Sequence, residues 1–328
     1  MKRTITLNQP DGATEVMQPN QEITYPMHHA ETYYWEHQGN QFVEQTFDGR
    51  YAYLYYFEFR ISTATTVTCR SHAPDLHLCY PIETGEQPLM MYDELHDIKL
   101  ILTQNRASYL YLSVTDFQVD LPIGHYIIRG ITLDAGLFRP NFTRSFAFVM
   151  PLVHAKRNAT SISMQSVDFL IGTLTKHELD AIFQNLNPKV LDNEHILIRH
   201  QIYLIKLSRL KIMMGDGSIT TPLTIINHVR EILSLMIDQY GNKALIGDLA
   251  ESVQVDRSRI YKLHKEYYRC NLSTYRNELL VERILREYDH FHNNLSGLAY
   301  ELNFAGLSEL NRFFKKMKGQ SLTQYQKH

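Results

Sequence analysis

The C-terminal third of the chain contains one short pattern written twice, and this repeat constrains the fold more than any other feature. The first copy, LAESVQVDRSRIYKLHKEY, begins at Leu249, and the second, LAYELNFAGLSELNRFFKKM, begins at Leu298. Apolar residues recur 49 positions later and, beyond a one-residue insertion, 50 positions later. Matching apolar type and spacing is typical of two copies of one supersecondary unit. The matched pairs are Leu249/Leu298, Ala250/Ala299, Val253/Leu302, Val255/Phe304, Ile260/Leu310, Leu263/Phe313, Lys265/Lys315, Leu272/Leu322 and Tyr275/Tyr325.

Each copy predicts a short helix, a turn of three or four residues and a second helix. The small Ala250 or Ala299 lets the second helix approach the first, and Val255 or Phe304 fills the corner after the turn. The opposite face of the second helix carries hydrogen-bond donors on an element narrow enough for the major groove of DNA. The pattern therefore predicts two helix-turn-helix units. The second helices are expected to bury Ile260, Leu263, Leu310, Phe313 and Phe314.

A helix predicted over Tyr275–Tyr288 joins the two copies. At 1.5 Å per residue it is about 20 Å long. Adding half of each unit places the two recognition helices roughly 30–35 Å apart, which is close to one turn of B-DNA. One chain could then read two successive major grooves on one face of the DNA.

The composition is that of a globular cytoplasmic protein with more than one domain. The 328 residues are 44% hydrophobic and 21% charged. No apolar run approaches the ~20 residues of a membrane span, and the N-terminus lacks the apolar stretch of a signal peptide. Residues 225–328 carry 15 Lys+Arg against 12 Asp+Glu, whereas the remainder carries 18 against 23. Cys69, Cys79 and Cys270 lack CxxC spacing, so no disulfide framework or cysteine zinc site is expected.

The segment from about Phe42 to Val153 reads as many short strands without intervening helices, which favours a closed or sandwiched antiparallel sheet. Turn signals separate the strands, among them Pro122 with Gly124 and Pro140 with Asn141. The predicted strands are Tyr51–Ile61, Leu76–Tyr80, Ile98–Thr103, Tyr109–Val114, His125–Ile131 and Ser145–Met150.

The pattern then changes to a helical period. Ser166–Leu186 predicts two short helices, because Thr175 and Glu178 have the spacing of a capping box. Another helix is predicted over Asn193–Met214, and Gly215–Ser218 follows as the best linker candidate. From Ile225 onward the chain reads as short helices joined by tight turns.

The C-terminal residues resemble the DNA-binding domain of the AraC/XylS family of bacterial regulators. The resemblance covers 225–328 and is strongest from Ser296 to Tyr325. The residues at the spacing of the family's second-unit signature are Phe304, Ser308, Phe314, Lys315, Gly319 and Tyr325.

The chain also departs from the family pattern. In the second unit, Asn303 stands for Gly and Leu322 for Pro. In the first unit, His264 replaces Phe and Arg269 replaces Gly, and in the linking helix Leu280 replaces Arg. Asn can adopt the left-handed conformation that Gly provides, so the change at Asn303 is mild.

The resemblance implies that exposed residues of the two recognition helices contact DNA. By groove chemistry, Arg312 suits guanine and Asn311 suits adenine. The implied base-reading residues are Ser258, Tyr261, Lys262, Ser308, Asn311 and Arg312, and the implied phosphate contacts are Arg257, Lys265, Lys315, Lys316 and Lys318.

The resemblance also implies a cupin-like N-terminal β-barrel that binds an effector or dimerises. We expect an α+β multidomain chain with a cupin-like or jelly-roll domain at 1–160, a helical connecting and dimerisation module at 161–216, and two helix-turn-helix units at 225–328. The expected function is a sequence-specific transcription regulator rather than an enzyme, with no cofactor, and the sequence leaves activator and repressor as open alternatives. The expected partners are double-stranded DNA, a small-molecule effector, a second copy of the chain and RNA polymerase, and no membrane.

Three features of the N-terminal part leave alternatives open. A cupin-type metal-dependent oxygenase or isomerase would need clustered ligands, but His28, His29, His72, His77 and His125 show no compact HxH…E…H arrangement. The aromatic residues Tyr51, Tyr53, Tyr55, Tyr56, Phe57 and Phe59 either line an apolar ligand pocket or fill a core. The seven-residue spacing of Ile198, Ile205 and Ile212 forms either a dimer seam or a face packed on the chain's own barrel.

Overall fold

A computed structural model describes residues 4–17, 22–49, 52–138, 146–185, 193–215, 221–253 and 255–325. The chain divides into two compact units, Met1–Ile212 and Met213–His328. The finer division at 1–160, 161–216 and 225–328 stays a prediction. Among the described residues, no helix has the length and apolar character needed to cross a membrane.

Two antiparallel sheets form the N-terminal unit. The first has the strand order β1-β6-β11-β8-β9, and the second has the order β13-β10-β7-β12-β5-β4-β3-β2 with β14 paired to β10. The expected antiparallel β-domain is therefore confirmed. The strands are β1 (Ile5–Leu7), β2 (Thr14–Glu15), β3 (Glu31–His37), β4 (Asn40–Asp48), β5 (Tyr53–Ile61), β6 (Thr65–Ser71), β7 (Asp75–Thr84), β8 (Leu89–Asp93), β9 (Ile98–Leu102), β10 (Arg106–Leu112), β11 (Thr115–Leu121), β12 (Gly124–Leu133), β13 (Met164–Gln165) and β14 (Phe169–Leu170).

The central strand β5 is apolar along its length because both of its faces are buried. Side chains alternate in a strand, so Tyr55 and Phe57 enter the core between the two sheets, whereas Leu54 and Tyr56 enter a second core on the outer face of the larger sheet. Gly130 of the neighbouring β12 leaves space for Tyr55, because a Cβ there would lie 1.8 Å from the Tyr55 ring. Strands with two buried faces read as continuous apolar runs, which is why β5 was evident in the sequence.

The two sheets approach each other at one corner through a side chain rather than through strand pairing. The side-chain oxygen of Gln165 on β13 accepts a hydrogen bond from the backbone N–H of Ile101 at 2.9 Å, and its side-chain nitrogen donates to the Ile101 carbonyl at 2.7 Å. Ile101 lies on the edge strand β9, whose free backbone groups would otherwise stay open to pairing. The fold is thus a pair of facing sheets. At this corner the Gln165 side chain makes the two hydrogen bonds that a paired strand would otherwise make to Ile101.

Three helices cover the outer face of the larger sheet: α1 (Met150–Asn158), α2 (Thr173–Asn185) and α3 (Asn193–Gly215). Apolar residues of all three helices, such as Val153, Phe183 and Leu204, share the core that also contains Tyr56 and Tyr80. A short 3-10 helix, Ala135–Leu137, follows β12.

Two local expectations in this region are wrong. Ser145–Met150 is not a strand: residues 146–149 form turns and Met150 begins α1, where Pro151 lies in the first turn and presets the helical φ. Thr175 and Glu178 do not mark the start of a second helix. Both lie within the single helix α2, where their side chains are buried. Pro140, Asn141, Ser145, Tyr51, Leu186 and the linker residues 216–218 lie outside the described residues.

The predicted helix over Asn193–Met214 is confirmed as α3. Ile205 and Ile212 are buried in the chain's own core beside the larger sheet. Packing on the chain's own sheet therefore accounts for two of the three residues that were considered as a dimer seam.

The C-terminal unit is helical, as expected, although two of its helices are longer than the short elements predicted. The linking helix has 20 residues instead of the predicted Tyr275–Tyr288. The helices are α4 (Pro222–Tyr240), α5 (Ile246–Val253), α6 (Arg257–Tyr268), α7 (Leu272–Phe291), α8 (Leu295–Glu301) and α9 (Leu307–Lys318), with 3-10 turns at Gly241–Lys243 and Leu322–Gln324.

Candidate nucleic-acid interface

The two copies of the sequence repeat close their turns with the same hydrogen bond. In the first copy the backbone N–H of Val255 donates to the Ala250 carbonyl at 3.3 Å, and in the second Phe304 donates to Ala299 at 2.9 Å. These residues are two of the matched pairs of the repeat. Helices α5 and α6 therefore form one helix-turn-helix unit, and α8 and α9 form the other.

The ends of the recognition helices α6 and α9 are equivalent too. Arg269 has φ +56° and donates its N–H to the Lys265 carbonyl, and Gly319 has φ +81° and donates to Lys315. Asn303, in the turn of the second unit, has φ +57°. The expectation that Asn303 takes the place of a left-handed glycine is confirmed. At Arg269 the same conformation is strained by about 1–2 kcal/mol relative to glycine.

Helix α6 divides into a buried and an exposed face as the repeat predicted. Ile260 and Leu263 are buried, whereas Arg257, Ser258 and Lys262 are exposed. Lys265 is exposed one turn further on. Asp256 caps the helix by accepting the backbone N–H groups of Ser258 and Arg259, so the first turn is held without a ligand.

Helix α9 has the stronger contrast between its faces. Leu310 and Phe314 are fully buried, while Phe313 is only half-buried and packs on Phe304 with ring centroids 5.6 Å apart. The expected burial of Phe313 is therefore only partial. The predicted DNA-contact residues Ser308, Arg312, Lys315, Lys316 and Lys318 are all exposed.

Three predicted base-reading side chains are partly engaged within the protein. The Ser258 hydroxyl donates to the Asp256 carboxylate. The Asn311 side-chain oxygen accepts the N–H of Thr323 at 3.2 Å. The Tyr261 hydroxyl lies 3.4 Å from that of Ser273, and the Arg257 guanidinium lies 5.7 Å from the Tyr261 ring centre. A bidentate contact of Asn311 with adenine uses both its oxygen and its amide nitrogen. Asn311 would have to release Thr323 to make it.

A family model described as a helix-turn-helix domain matches residues 249–328, which span both units. The segment is an AraC-type helix-turn-helix domain. A helix-turn-helix domain of this kind places its second helix in the major groove of DNA. No curated protein matches the full sequence in a direct comparison.

The solved structures that match this chain have low sequence identity to it. ToxT from Vibrio cholerae is 13% identical, with 83% of this chain and 97% of ToxT covered at a TM-score of 0.26. The AraC-like transcriptional activator CuxR is 8% identical, with 87% of each chain covered at 0.34. A cupin domain from Bordetella pertussis is 13% identical over 34% of this chain and 99% of its own, at 0.21. All three scores lie below 0.5, so the fold described above rests on the chain's own structure.

The first unit of the AraC-type domain is held by a buried histidine. The His264 ring packs between the rings of Tyr268 and Tyr275 at centroid distances of 5.2 and 5.4 Å. Its Nδ1–H donates to the Cys270 carbonyl at 2.9 Å, so its Nε2 is free to accept from Arg230 at 3.0 Å. The Arg230 guanidinium also lies over both tyrosine rings. This cluster occupies the position where the family has Phe, and it ties α4 to α6 and α7.

The neutral His264 ring makes the first unit sensitive to acid. Burial, together with the nearby Arg230 cation, holds the pKa of His264 below its ordinary value. In the unfolded chain the His264 ring is protonated below about pH 6.5. The stability that His264 contributes is therefore complete above that pH and is lost as the pH falls below it. We expect the free energy of unfolding of the AraC-type domain to fall between pH 7 and 5 in urea titrations. Phe has no titratable nitrogen, so the fall should be smaller in His264→Phe, and an equal fall would contradict the role of His264.

The aromatic strand of the N-terminal unit fills a core rather than an open pocket. Tyr55, Phe57 and Phe59 line a cavity between the sheets with a volume of about 20 Å³, enough for about one water molecule. Tyr56 faces the other core. A larger, open groove of about 630 Å³ lies where β1 faces β3 and β4. The groove is lined by Thr6, Leu7, Gln9, Glu15, Tyr33, Trp35, Glu44 and His72.

The histidines considered as metal ligands do not converge in the described part of the chain. Within it, no group of three or more His, Cys, Asp or Glu side chains is arranged to hold a metal ion. His125 pairs with Glu58 and Glu83 at 2.8 and 2.6 Å, whereas His77 is buried with its ring against Tyr55. These contacts give each of the two histidines a role in the fold.

Proposed function

We propose that the protein is a sequence-specific transcription regulator that reads two successive major grooves with α6 and α9. The observation that carries this proposal is the pair of register-matched helices, each with buried apolar residues on one face and exposed donors on the other. Helix α7 packs against α4, α6, α8 and α9. Its 20 residues span about 30 Å, comparable to one turn of B-DNA, about 34 Å.

The proposed base contacts are those implied by the resemblance, and they differ in whether the side chain is already hydrogen-bonded within the protein. Arg312 and Lys262 are exposed and carry no hydrogen bond or ion pair to another described residue, so both can reach base edges. Ser258, Tyr261 and Asn311 would contact bases after their internal hydrogen bonds open. Lysines on the last turns of α6 and α9 supply phosphate contacts, which position the domain without specifying sequence.

The proposal assigns the N-terminal sheets to effector control. The open groove between β1 and β3 has the stacked rings of Tyr33 and Trp35 as one wall, against which a small molecule could bind. The division at 1–160, 161–216 and 225–328, the homodimer and activation through RNA polymerase are part of the same proposal and follow from the resemblance. The proposed cytoplasmic location follows from the composition.

The DNA-binding proposal can be tested with the full-length protein and two DNA duplexes of equal length. One carries the region upstream of the encoding gene, and the other carries the same bases in scrambled order. Affinity for the upstream region should exceed that for scrambled DNA by about 10³ or more, and both affinities should fall steeply between two salt concentrations. Equal affinities would contradict sequence specificity. Absence of binding at low salt would contradict DNA binding itself.

A further inference from the structure

The guanidinium group of Arg129 is buried with two of its three nitrogens unpaired. Arg129 is 2% exposed, and its Nη1 donates to Asp180 at 2.6 Å. Its Nε and Nη2 are also buried, and neither has a hydrogen-bond partner among the described residues. An unpaired donor on a buried cation is costly, so such a group normally has a partner. The unpaired edge of Arg129 therefore indicates a ligand.

The geometry of that edge selects the chemistry of the ligand. Nε–H and Nη2–H point in parallel from one side of the planar guanidinium, the arrangement that binds a carboxylate through two hydrogen bonds. The rings of Tyr25 and Phe183 lie over the group, at 4.7 and 4.9 Å from Cζ. A planar carboxylate can lie in the guanidinium plane beside these rings, whereas a tetrahedral phosphate projects oxygens out of that plane.

A second unpaired group lies on the neighbouring strand. Tyr80 on β7 is paired in register with Arg129 on β12, and both side chains face the outer core of the larger sheet. The Tyr80 hydroxyl is fully buried and has no hydrogen-bond partner among the described residues. Paired residues on adjacent strands have Cβ atoms about 4.5–5.5 Å apart. A ligand held by Arg129 therefore lies within reach of a second polar contact.

One wall of the site is a segment that belongs to no strand. Residues 22–28, which include Tyr25, cross the outer face as an irregular strap. Thr24 donates to Glu58, and the Met27 N–H donates to the Gln45 side chain. The backbone N–H of His28 donates to the Phe183 carbonyl of α2. The strap is held by individual hydrogen bonds and by the buried side chain of Met27 instead of a β-ladder, so its displacement would unpair no strand.

We propose that Arg129 binds the carboxylate of a small organic acid, which enters when the strap lifts away from α2. This site lies on the outer face of the larger sheet, under α2, and it is separate from the groove assigned to effector control. Helix α2 in turn contacts α3, where Glu178 pairs with His200 and Thr175 accepts from Lys211. The proposal goes beyond the DNA-binding function and does not depend on it.

Benzoate and benzamide provide a matched pair of probes, because they share shape and differ in charge. We expect full-length protein to bind benzoate saturably in calorimetric titrations and benzamide more weakly. Arg129→Lys keeps the charge and removes the two-pronged edge, so it should weaken benzoate binding about ten-fold or more. Without benzoate, Arg129→Lys should bind DNA as the wild type does. Loss of benzoate binding in this variant thus leaves the DNA proposal unaffected.

A second measurement needs no variant and applies even if Arg129→Lys does not fold. In the wild-type protein, benzoate should shift the NMR signal of one slowly exchanging arginine Nε–H, and benzamide should not. Three results would overturn the proposal: no saturable benzoate binding, benzamide binding of equal strength, or equal benzoate affinity in wild type and Arg129→Lys.

Discussion

Replacing Phe314 by Ala should destabilise the second helix-turn-helix unit by about 3–5 kcal/mol, the usual range for a fully buried phenylalanine. Phe314 is completely buried, and its ring meets that of Tyr325 at a centroid distance of 5.4 Å. The carbonyl of Tyr325 accepts from the Tyr288 hydroxyl on α7. The lost ring would therefore leave a cavity where α7, α9 and the last turn meet.

Urea unfolding followed by far-UV circular dichroism would measure the loss. Phe313→Ala is the matched control, because it removes the same ring from the preceding position of α9, where the side chain is only half-buried. We expect a clearly smaller loss for Phe313→Ala. Equal losses in the two variants would show that the division of α9 into a buried and an exposed face is wrong. A domain has only about 5–15 kcal/mol of stability in total, so DNA binding by Phe314→Ala should fall as well.

Replacing Arg312 by Ala should weaken binding to the target DNA by about 1–3 kcal/mol and relax the preference at one base pair. Arg312 is exposed near the middle of α9, and in the described part of the chain it makes no hydrogen bond or ion pair that would hold it back. Its donors are therefore available for the two acceptors of a guanine edge. Binding measured against a set of single-base variants of the target would locate the relaxed position.

Lys316→Ala is the control for a contact that positions without specifying. Lys316 is exposed on the same helix, and its loss should weaken binding to all sequences alike and lower the salt dependence by about one unit of slope. If Arg312→Ala also weakened binding uniformly, Arg312 would be a phosphate contact, and base reading by α9 would rest on other residues.

The two units achieve the same shape by different means. The second unit uses Phe314 in its core and Gly319 after its recognition helix. The first unit has His264 and Arg269 at the corresponding places, and it recovers the packing through the Arg230 cation over two tyrosine rings. The first unit therefore depends on protonation and on α4, whereas the second has an apolar core. The substitutions behind this difference, His264 and Arg269, are also why the first unit matches the family pattern less closely.

The repeat was readable because helix-turn-helix packing is local. Each unit joins residues a few positions apart, so the spacing of Ala250, Val255 and Ile260 already contains the contact pattern. The same holds for β5, where two buried faces leave a continuous apolar run. Strands β6 and β11 were missed although Phe117, Val119 and Leu121 alternate with polar residues, because half-exposed strands give short and weak apolar runs.

The sequence by itself determined the class of each half of the chain, the repeated unit and the face of each recognition helix, because periodicity and local turns depend on near neighbours. Only the tertiary structure decided that Ile205 and Ile212 face the chain's own core, that Thr175 and Glu178 are interior, and that Arg129 is buried beside Tyr25 and Phe183. The Arg129 contacts, for example, join residues about 50 to 100 positions apart. No local pattern encodes such contacts, because they arise when distant segments pack on one sheet.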